Sequence, residues 1–375
     1  MRRRPGEVRD AIVRVLSERA GAISVKEIAD GVMGLIGEVP QSSVRSYLLL
    51  NTPTLFARME RAQYMLNGFE NQPKSTMEAS ARSAPSFRHG ASLLYLNDCG
   101  TWLDNQTSNS IQAVVTDPPY GLVEYSDAEQ SKLRSGRGGV WRIPPSFDGA
   151  KRAPLPRFTV LTSDDLTALE RFFFSWGRSL MRVLVPGANV VVASNPLLSH
   201  VVSGALARSG LERRGELVRL VMTMRGGDRP KAAHVEFDDV SVMPRSMWEP
   251  WLLFRKPLEG RVQDNLRKWG TGGFRRISAT KPFGDVIESA PTRATERTLA
   301  SHPSLKPQAF LRKVVRGVLP LGTGVVLDPF AGSGSTLAAA EAVGYASVGV
   351  ERDRTYFDLA TKAIPRLAAL KLATA

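Results

Sequence analysis

At 375 residues with 43 % hydrophobic residues, the chain is long enough for two or three domains with sizeable cores, and its composition excludes a disordered protein. A formal net charge of +14 and a sequence pI near 10.2 point to a polyanionic partner, most simply nucleic acid. A single cysteine, Cys99, rules out an intramolecular disulfide and a cysteine-based zinc cluster. The four histidines lack a paired metal spacing, so no structural metal is expected. No apolar run is long enough for a bilayer, and no apolar h-region follows "MRRRPGEVRD". The expected location is therefore intracellular, in the cytoplasm, with no membrane contact.

Residues 1–67 read as a small separate domain. "GEVRDAIVRVLSER" puts Val8, Ile12, Val15 and Leu16 on one helical face. "SVKEIADGV" opens on Ser24 with Glu27 three residues later, the capping-box pattern of a second helix. "PQSSVRSYLLL" starts a third helix at Pro40, with Val44 and Leu48 inward and Gln41, Ser43, Arg45 and Ser46 outward. "LFARMERAQYMLN" then alternates as a hairpin turning near Glu60 and Arg61. Three helices and a hairpin predict a winged helix-turn-helix, whose third helix suits a DNA groove, with Arg45, Arg58 and Arg61 available to phosphates. The alternative is a docking or dimerising winged helix that touches no DNA. The segment resembles the HARE-HTH modules appended to DNA-modifying enzymes.

Residues 68–90 are polar and rich in Ser, Ala and Pro, and read as a linker. From Ala91 onward, strand and helix patterns alternate, predicting an α/β fold with a doubly wound parallel sheet and no internal repeat. In "QAVVTDPPYG", Ala113, Val114 and Val115 form a buried strand that two prolines terminate. Asp117, Pro118, Pro119 and Tyr120 are thereby fixed at a strand's carboxyl end, where open sheets bind ligands. Downstream, "GVVLDPFAGSGSTLAAAEAVGYASVGVERD" reads as a strand, a tight turn at Gly332 and Gly334, a helix, and a second strand ending in Glu351. That acidic end suits a pair of ribose hydroxyls. No Gly-Lys-Ser/Thr follows, so the loop is not a P-loop, and it departs from the dinucleotide fingerprint.

Together these motifs resemble the S-adenosylmethionine-dependent amino-methyltransferases of DNA. The matches are "TDPPYG" at 116–121, "DPFAGSGST" at 328–336, "SHPSLKPQAFLRKVV" at 301–315 and "LNDCGTWL" around Asp98. The catalytic motif precedes the cofactor motif, the order called the β class. The resemblance implies a Rossmann-like class I methyltransferase domain over 91–375, with circularly permuted motif order. It implies S-adenosyl-L-methionine as cofactor, held by Asp98, Asp117, Lys306, Pro307, Asp328, Phe330, Ala331, Gly332, Ser333, Gly334, Ser335, Thr336, Glu351 and Arg352. Double-stranded DNA is the implied partner, with homodimers and a cognate restriction endonuclease on a separate chain as family associations.

The implied chemistry is methylation of an exocyclic base nitrogen whose lone pair is delocalised into the ring. Asp117 and the Pro118 carbonyl accept the amino hydrogens, and Tyr120 stacks on the extruded base. Asp in the first motif position favours adenine N6 over cytosine N4. An RNA base, or a DNA-binding regulator with an inactive methyltransferase fold, are the other readings. Ring-carbon methylation needs a cysteine nucleophile, and Cys99, the one candidate, follows Asp98 rather than a proline at a strand end. Residues 126–157, with Arg134 and Arg137, are basic and glycine-rich and read as a lid over DNA, against a plain surface loop. Residues 257–300 fall where this class keeps target recognition, with Arg261, Arg267, Lys268, Arg275, Arg276 and Lys281 offered to DNA, and residues 222–246 as a supplement. Trp248 and Trp251 read as core residues or as platforms near the base.

Overall fold

A computed structural model of the protein describes residues 7–17, 22–52, 56–60, 62–66, 84–119, 163–225, 229–230, 232–300, 302 and 305–372. The chain divides into two compact units, Met1–Ala81 and Arg82–Ala375. In the first, α1 (Glu7–Ser17), β1 (Ile23–Ser24), α2 (Val25–Ile36), α3 (Gln41–Leu50), β2 (Phe56–Glu60) and β3 (Gln63–Leu66) follow in that order. The strands form a sheet ordered β1-β3-β2. Ser24 caps α2: Glu27 N donates to Ser24 Oγ at 3.2 Å, and Ser24 N donates back to Glu27 Oε2 at 2.9 Å. Such a cap contributes about 1 kcal/mol. The helices close over Ile12, Ile28, Val32, Val44, Leu48 and Phe56, all fully buried, because the apolar residues recur at helical spacing. Gln41, Arg45 and Ser46 are exposed on α3, and Ser43 is half-buried.

The second unit spans Arg82–Ala375, so part of the stretch read as a linker belongs to it. A first strand, β4 (Phe87–His89), pairs antiparallel with β5 (Ser92–Leu96) and forms the edge of the large sheet. There follow α4 (Cys99–Asp104), β6 (Ile111–Thr116), α5 (Ser163–Val183), β7 (Leu184–Ala193), α6 (Ser199–Arg208), β8 (Glu212–Arg225) and β9 (Ser246–Arg255). Then come α7 (Val262–Trp269), β10 (Val286–Glu288), α8 (Ala294–Leu299), α9 (Gln308–Val318), β11 (Val325–Asp328), α10 (Ser335–Ala342), β12 (Ala346–Glu351) and α11 (Arg354–Ala368). The nine-stranded sheet runs β10-β8-β9-β7-β6-β11-β12-β5-β4. It is mixed rather than wholly parallel: β5, β12, β11, β6 and β7 run together, while β9 runs against both β7 and β8.

Helices cover both faces. On one face Leu169, Phe173, Trp176 and Leu180 of α5 and Leu206 of α6 bury Val114 and Val190. On the other, Phe310, Leu311, Val314 and Val315 of α9 bury Ala113, Val115 and Trp251. Burial on both faces explains the continuous apolar runs of β6, β7 and β11, where an alternating strand would leave one face wet. No helix among the described residues is long and apolar enough to cross a membrane.

Candidate active site

Strands β6, β11 and β12 are parallel neighbours, so their carboxyl ends share one edge, and each ends on or next to an acidic residue. Thr116 closes β6, and its Oγ1 donates to Asp328 Oδ1 across the gap to β11 at 2.7 Å. Burial pushes the Asp328 carboxyl up to about 6, against hydrogen bonds from Thr116, Thr336 and the Phe330 N–H. A carboxyl raised from 3.8 contributes stability that is complete below that value and lost as pH rises through about 6. Asp328→Asn is therefore expected to gain on the parent by about 2 kcal/mol between pH 4 and pH 8, read by urea unfolding of cofactor-free protein. A gap that stays constant with pH refutes the assignment.

The loop after β11 folds against β12. Phe330 N donates to Asp328 Oδ1 at 3.2 Å, Ala331 N to Val350 O at 3.0 Å, and Gly334 N to Ala331 O at 2.7 Å. Gly334 sits at φ +77° as the N-cap of α10. Ser333 Oγ and Ser335 Oγ lie 3.2 Å apart, Gln308 Nε2 donates to Ser335 O at 2.9 Å, and Ser333, Ser335 and Thr336 are buried. Glu351 holds the other side: its Oε2 accepts the Gly332 N–H and its Oε1 the Asp353 N–H, both at 2.8 Å. Burial raises the Glu351 carboxyl above its usual range, against those backbone bonds. The ring of Phe330 lies 5.5 Å from that of Trp176 of α5, an apolar contact beside this loop.

Asp117, just past β6, meets Lys306, which precedes Pro307, the N-cap of α9. Lys306 Nζ stands 3.0 Å from Asp117 Oδ2 and donates to Glu249 Oε1 at 2.7 Å. Glu249 Oε2 in turn accepts from Arg219 Nη1 at 2.8 Å. Burial pushes the Glu249 carboxyl up, but the Lys306 and Arg219 charges outweigh it and bring it to about 2. Lys306 is pushed down by burial and more strongly up by Asp117 and Glu249, ending above its ordinary value. His302 is lowered by burial, with Asp117 opposing and Lys306 adding to the fall. The sequence patterns do not single out Arg219, Glu249 or His302. The available signal is a lone charge inside each of two apolar strands, "LVRLVM" and "MWEPWLLF".

The other expected residues divide. Asp98 is exposed and caps α4, its Oδ1 accepting from Gly100 N at 2.9 Å and Thr101 N at 3.1 Å. Cys99 beside it is pushed up to about 12 by burial and by Asp98, which leaves no thiolate for ring-carbon chemistry. Pro118 is buried; Pro119 and Arg352 are exposed. Tyr120 and the expected lid with Arg134 and Arg137 lie outside the described residues. Trp251 is core, 5.0 Å from the Phe310 ring, while Trp248 is 38 % exposed.

Five of the basic residues offered for DNA, Arg261, Arg267, Lys268, Arg275 and Arg276, lie in a segment at the amino edge of the sheet. Asn265 Nδ2 and Thr271 Oγ1 donate to Pro186 O near the start of β7, and Arg275 Nη1 donates to Tyr345 Oη just before β12. Residues 257–276 thus line the amino edge of the sheet, opposite Asp117. There Arg267 pairs with Asp264 and Lys268 with Glu259, and the Arg276 carbonyl accepts from Arg316 Nη1 at 2.9 Å. The reason is strand direction: β9 runs against β7 and delivers the chain to the amino edge. What projects at the carboxyl edge is the β8–β9 pair. Its pairing runs from Leu217↔Trp251 to Leu220↔Trp248 and, after a register break, resumes at Arg225↔Ser246, about 17 Å along β9. Leu220, Met247 and Trp248 are exposed along it, and a cleft of about 430 Å³ lies between Leu220, Met247 and residues Glu288–Pro291.

Residues 229–362 match the N6_N4_Mtase family model, described as DNA methylase. That span includes Lys306, Asp328, Gly334 and Glu351 but not Asp117. The chain is 26 % identical to the Type II methyltransferase M.HindIII of Haemophilus influenzae over 293 residues, which cover 71 % of this chain and 93 % of that protein. It is 40 % identical to the Type II methyltransferase M.ScaI of Streptomyces caespitosus over 78 residues, 21 % of this chain and 25 % of that one. Among solved structures, the M1.HpyAVI–SAM complex is similar with a TM-score of 0.46 at 16 % identity, over 73 % of this chain and 98 % of that one.

Proposed function

We propose that the chain is an S-adenosylmethionine-dependent DNA amino-methyltransferase acting on the exocyclic N6 of adenine. The observation that carries this reading is Asp117, braced by Lys306 at the end of β6, beside the acidic ends of β11 and β12. The family match over 229–362 and the resemblance of "TDPPYG" and "DPFAGSGST" support it.

The residues present suit the cofactor. Glu351 offers two carboxylate oxygens, engaged among the described residues by backbone N–H groups, to a pair of ribose hydroxyls. Asp98 and Phe330 would hold the adenine side, and the loop through Gly334 the rest. When bound, S-adenosylmethionine supplies an electrophilic methyl group. This chain's own residues do the remainder. Asp117 accepts a hydrogen bond from the target amine and the Pro118 carbonyl a second, which favours a pyramidal nitrogen and stabilises the positive charge developing on it. The surplus proton then leaves to Asp117 or water. The base reaches these groups only when extruded from the duplex, for which Tyr120 is the stacking residue.

Duplex contacts fall to two places in this reading. The exposed Gln41 and Arg45 of α3, with the half-buried Ser43 between them, support reading the first unit as a winged helix that contacts DNA. The projecting β8–β9 pair takes the recognition role in place of Arg267, Lys268, Arg275 and Arg276.

The test incubates the protein with S-adenosylmethionine and unmethylated genomic DNA, then digests to nucleosides for mass spectrometry. N6-methyladenine is the expected product. N4-methylcytosine would keep the chemistry and overturn the base; no methylated nucleoside from DNA would overturn the substrate.

A further inference from the structure

Two cations and two anions alternate through the buried edge beside Asp117: Arg219, Glu249, Lys306, Asp117. They come from four elements: β8, β9, the approach to α9, and the end of β6. Arg219 and Glu249 are directly paired across β8 and β9. Arg219 is fixed further by Ser289 Oγ, 3.1 Å from its Nε, and by stacking 5.4 Å over the Phe310 ring. We propose that Glu249, anchored by Arg219, is a positioning residue for methyl transfer: it fixes the Lys306 ammonium against Asp117 Oδ2 and so orients the carboxylate that receives the target amine. The inference rests on Asp117 being that acceptor.

A lysine has a flexible four-carbon stem, and one anionic partner would leave its head free to swing. Glu249 holds it from a rigid strand. An ion pair serving the fold alone would close between Arg219 and Glu249 without reaching Asp117. Every link is nearly buried, so losing one charge leaves another uncompensated in a poorly solvated place.

The groups facing Lys306 are Asp117, Glu249, Arg219 and His302, with Asp328 behind Asp117. Of Lys306 and Arg219, Lys306 is the one that gives up its proton as alkaline pH is reached, since arginine keeps its charge, and burial holds His302 below its ordinary range. Glu249 helps hold the Lys306 proton on. Glu249→Gln removes that help while keeping size and hydrogen bonding, so Lys306 deprotonates at lower pH.

The experiment measures kcat against pH, together with S-adenosylmethionine and DNA dissociation constants, for the parent, Glu249→Gln and Glu249→Asp. The expected result for Glu249→Gln is a tenfold to hundredfold loss of kcat, with both dissociation constants within about threefold of the parent. Its alkaline limb moves down by at least about one pH unit, and Glu249→Asp moves it back. An unmoved limb, or kcat within twofold of the parent, overturns the proposal. In parallel, the Lys306 Nζ is titrated by ¹⁵N NMR, assigned with Lys306→Met. If the parent methylates nothing, the functional reading fails, yet the titration still decides whether Glu249 controls Lys306. Should Glu249→Gln not fold, a parent Lys306 that titrates at or below the ordinary lysine value overturns the inference by itself.

Discussion

Asp117→Asn is expected to lower kcat for methyl transfer by about 10³-fold, some 4 kcal/mol of barrier, while S-adenosylmethionine binds within about threefold of the parent. The reason is charge and direction together. In the proposed reaction this carboxylate accepts from the target amine, where positive charge builds as the methyl arrives. An asparagine in the same rotamer keeps at most one acceptor and turns an N–H toward a group that is itself a donor. It also leaves the nearly buried Lys306 with Glu249 as its one remaining partner in the chain of charges, which pulls the side chain away from β6. Single-turnover transfer of a labelled methyl group, with cofactor affinity by calorimetry, reads both quantities. A rate within tenfold of the parent would remove Asp117 from the reaction. Loss of cofactor binding would move it to the cofactor site instead.

Gly334→Ala is expected to cost about 2–5 kcal/mol of stability and to abolish the thermal stabilisation that the cofactor gives the parent. Two effects add. Gly334 sits at φ +77°, where a side chain costs about 1–2 kcal/mol. A Cβ there would also stand 2.4 Å from Ile364 Cγ1 and 3.3 Å from Ala360 Cβ of α11, an overpacking worth about 1–3 kcal/mol. Gly344 separates the two, since it has the same φ of +77° but open space where a methyl group would stand. Gly344→Ala should therefore cost only the backbone share, about 1–2 kcal/mol, and leave cofactor binding intact. Urea unfolding of the two variants side by side is the measurement. Equal losses would mean that the close approach of loop and α11 is not a determinant of the site.

Several features were legible because they are local. The capping box at Ser24 and Glu27, the apolar run into Asp117 and the prolines, and the glycine turn before α10 each involve residues a few positions apart. The periodicity or turn chemistry of such a stretch is fixed by its own residues. The acidic strand ends at Asp328 and Glu351 were legible for the same reason, since a buried apolar strand that stops on a carboxylate is readable without its neighbours.

The remainder depended on strand order and direction. The bond from Thr116 to Asp328 spans 212 residues, and that from Lys306 to Glu249 spans 57, so neither has a spacing to detect. Glu249 and Arg219 are lone charges within apolar stretches of sequence, and only the pairing of β8 with β9 sets them side by side. The basic segment after residue 257 looked like a recognition region because it lies between the two motif blocks. The reversal of β9 sends it to the amino edge, while the β8–β9 projection reaches the carboxyl edge. The sequence by itself thus determined which residues end strands, Asp328 and Glu351 among them. Which of them share an edge was decided only by the tertiary structure, because strand direction is set by hydrogen bonds to neighbours remote in the chain.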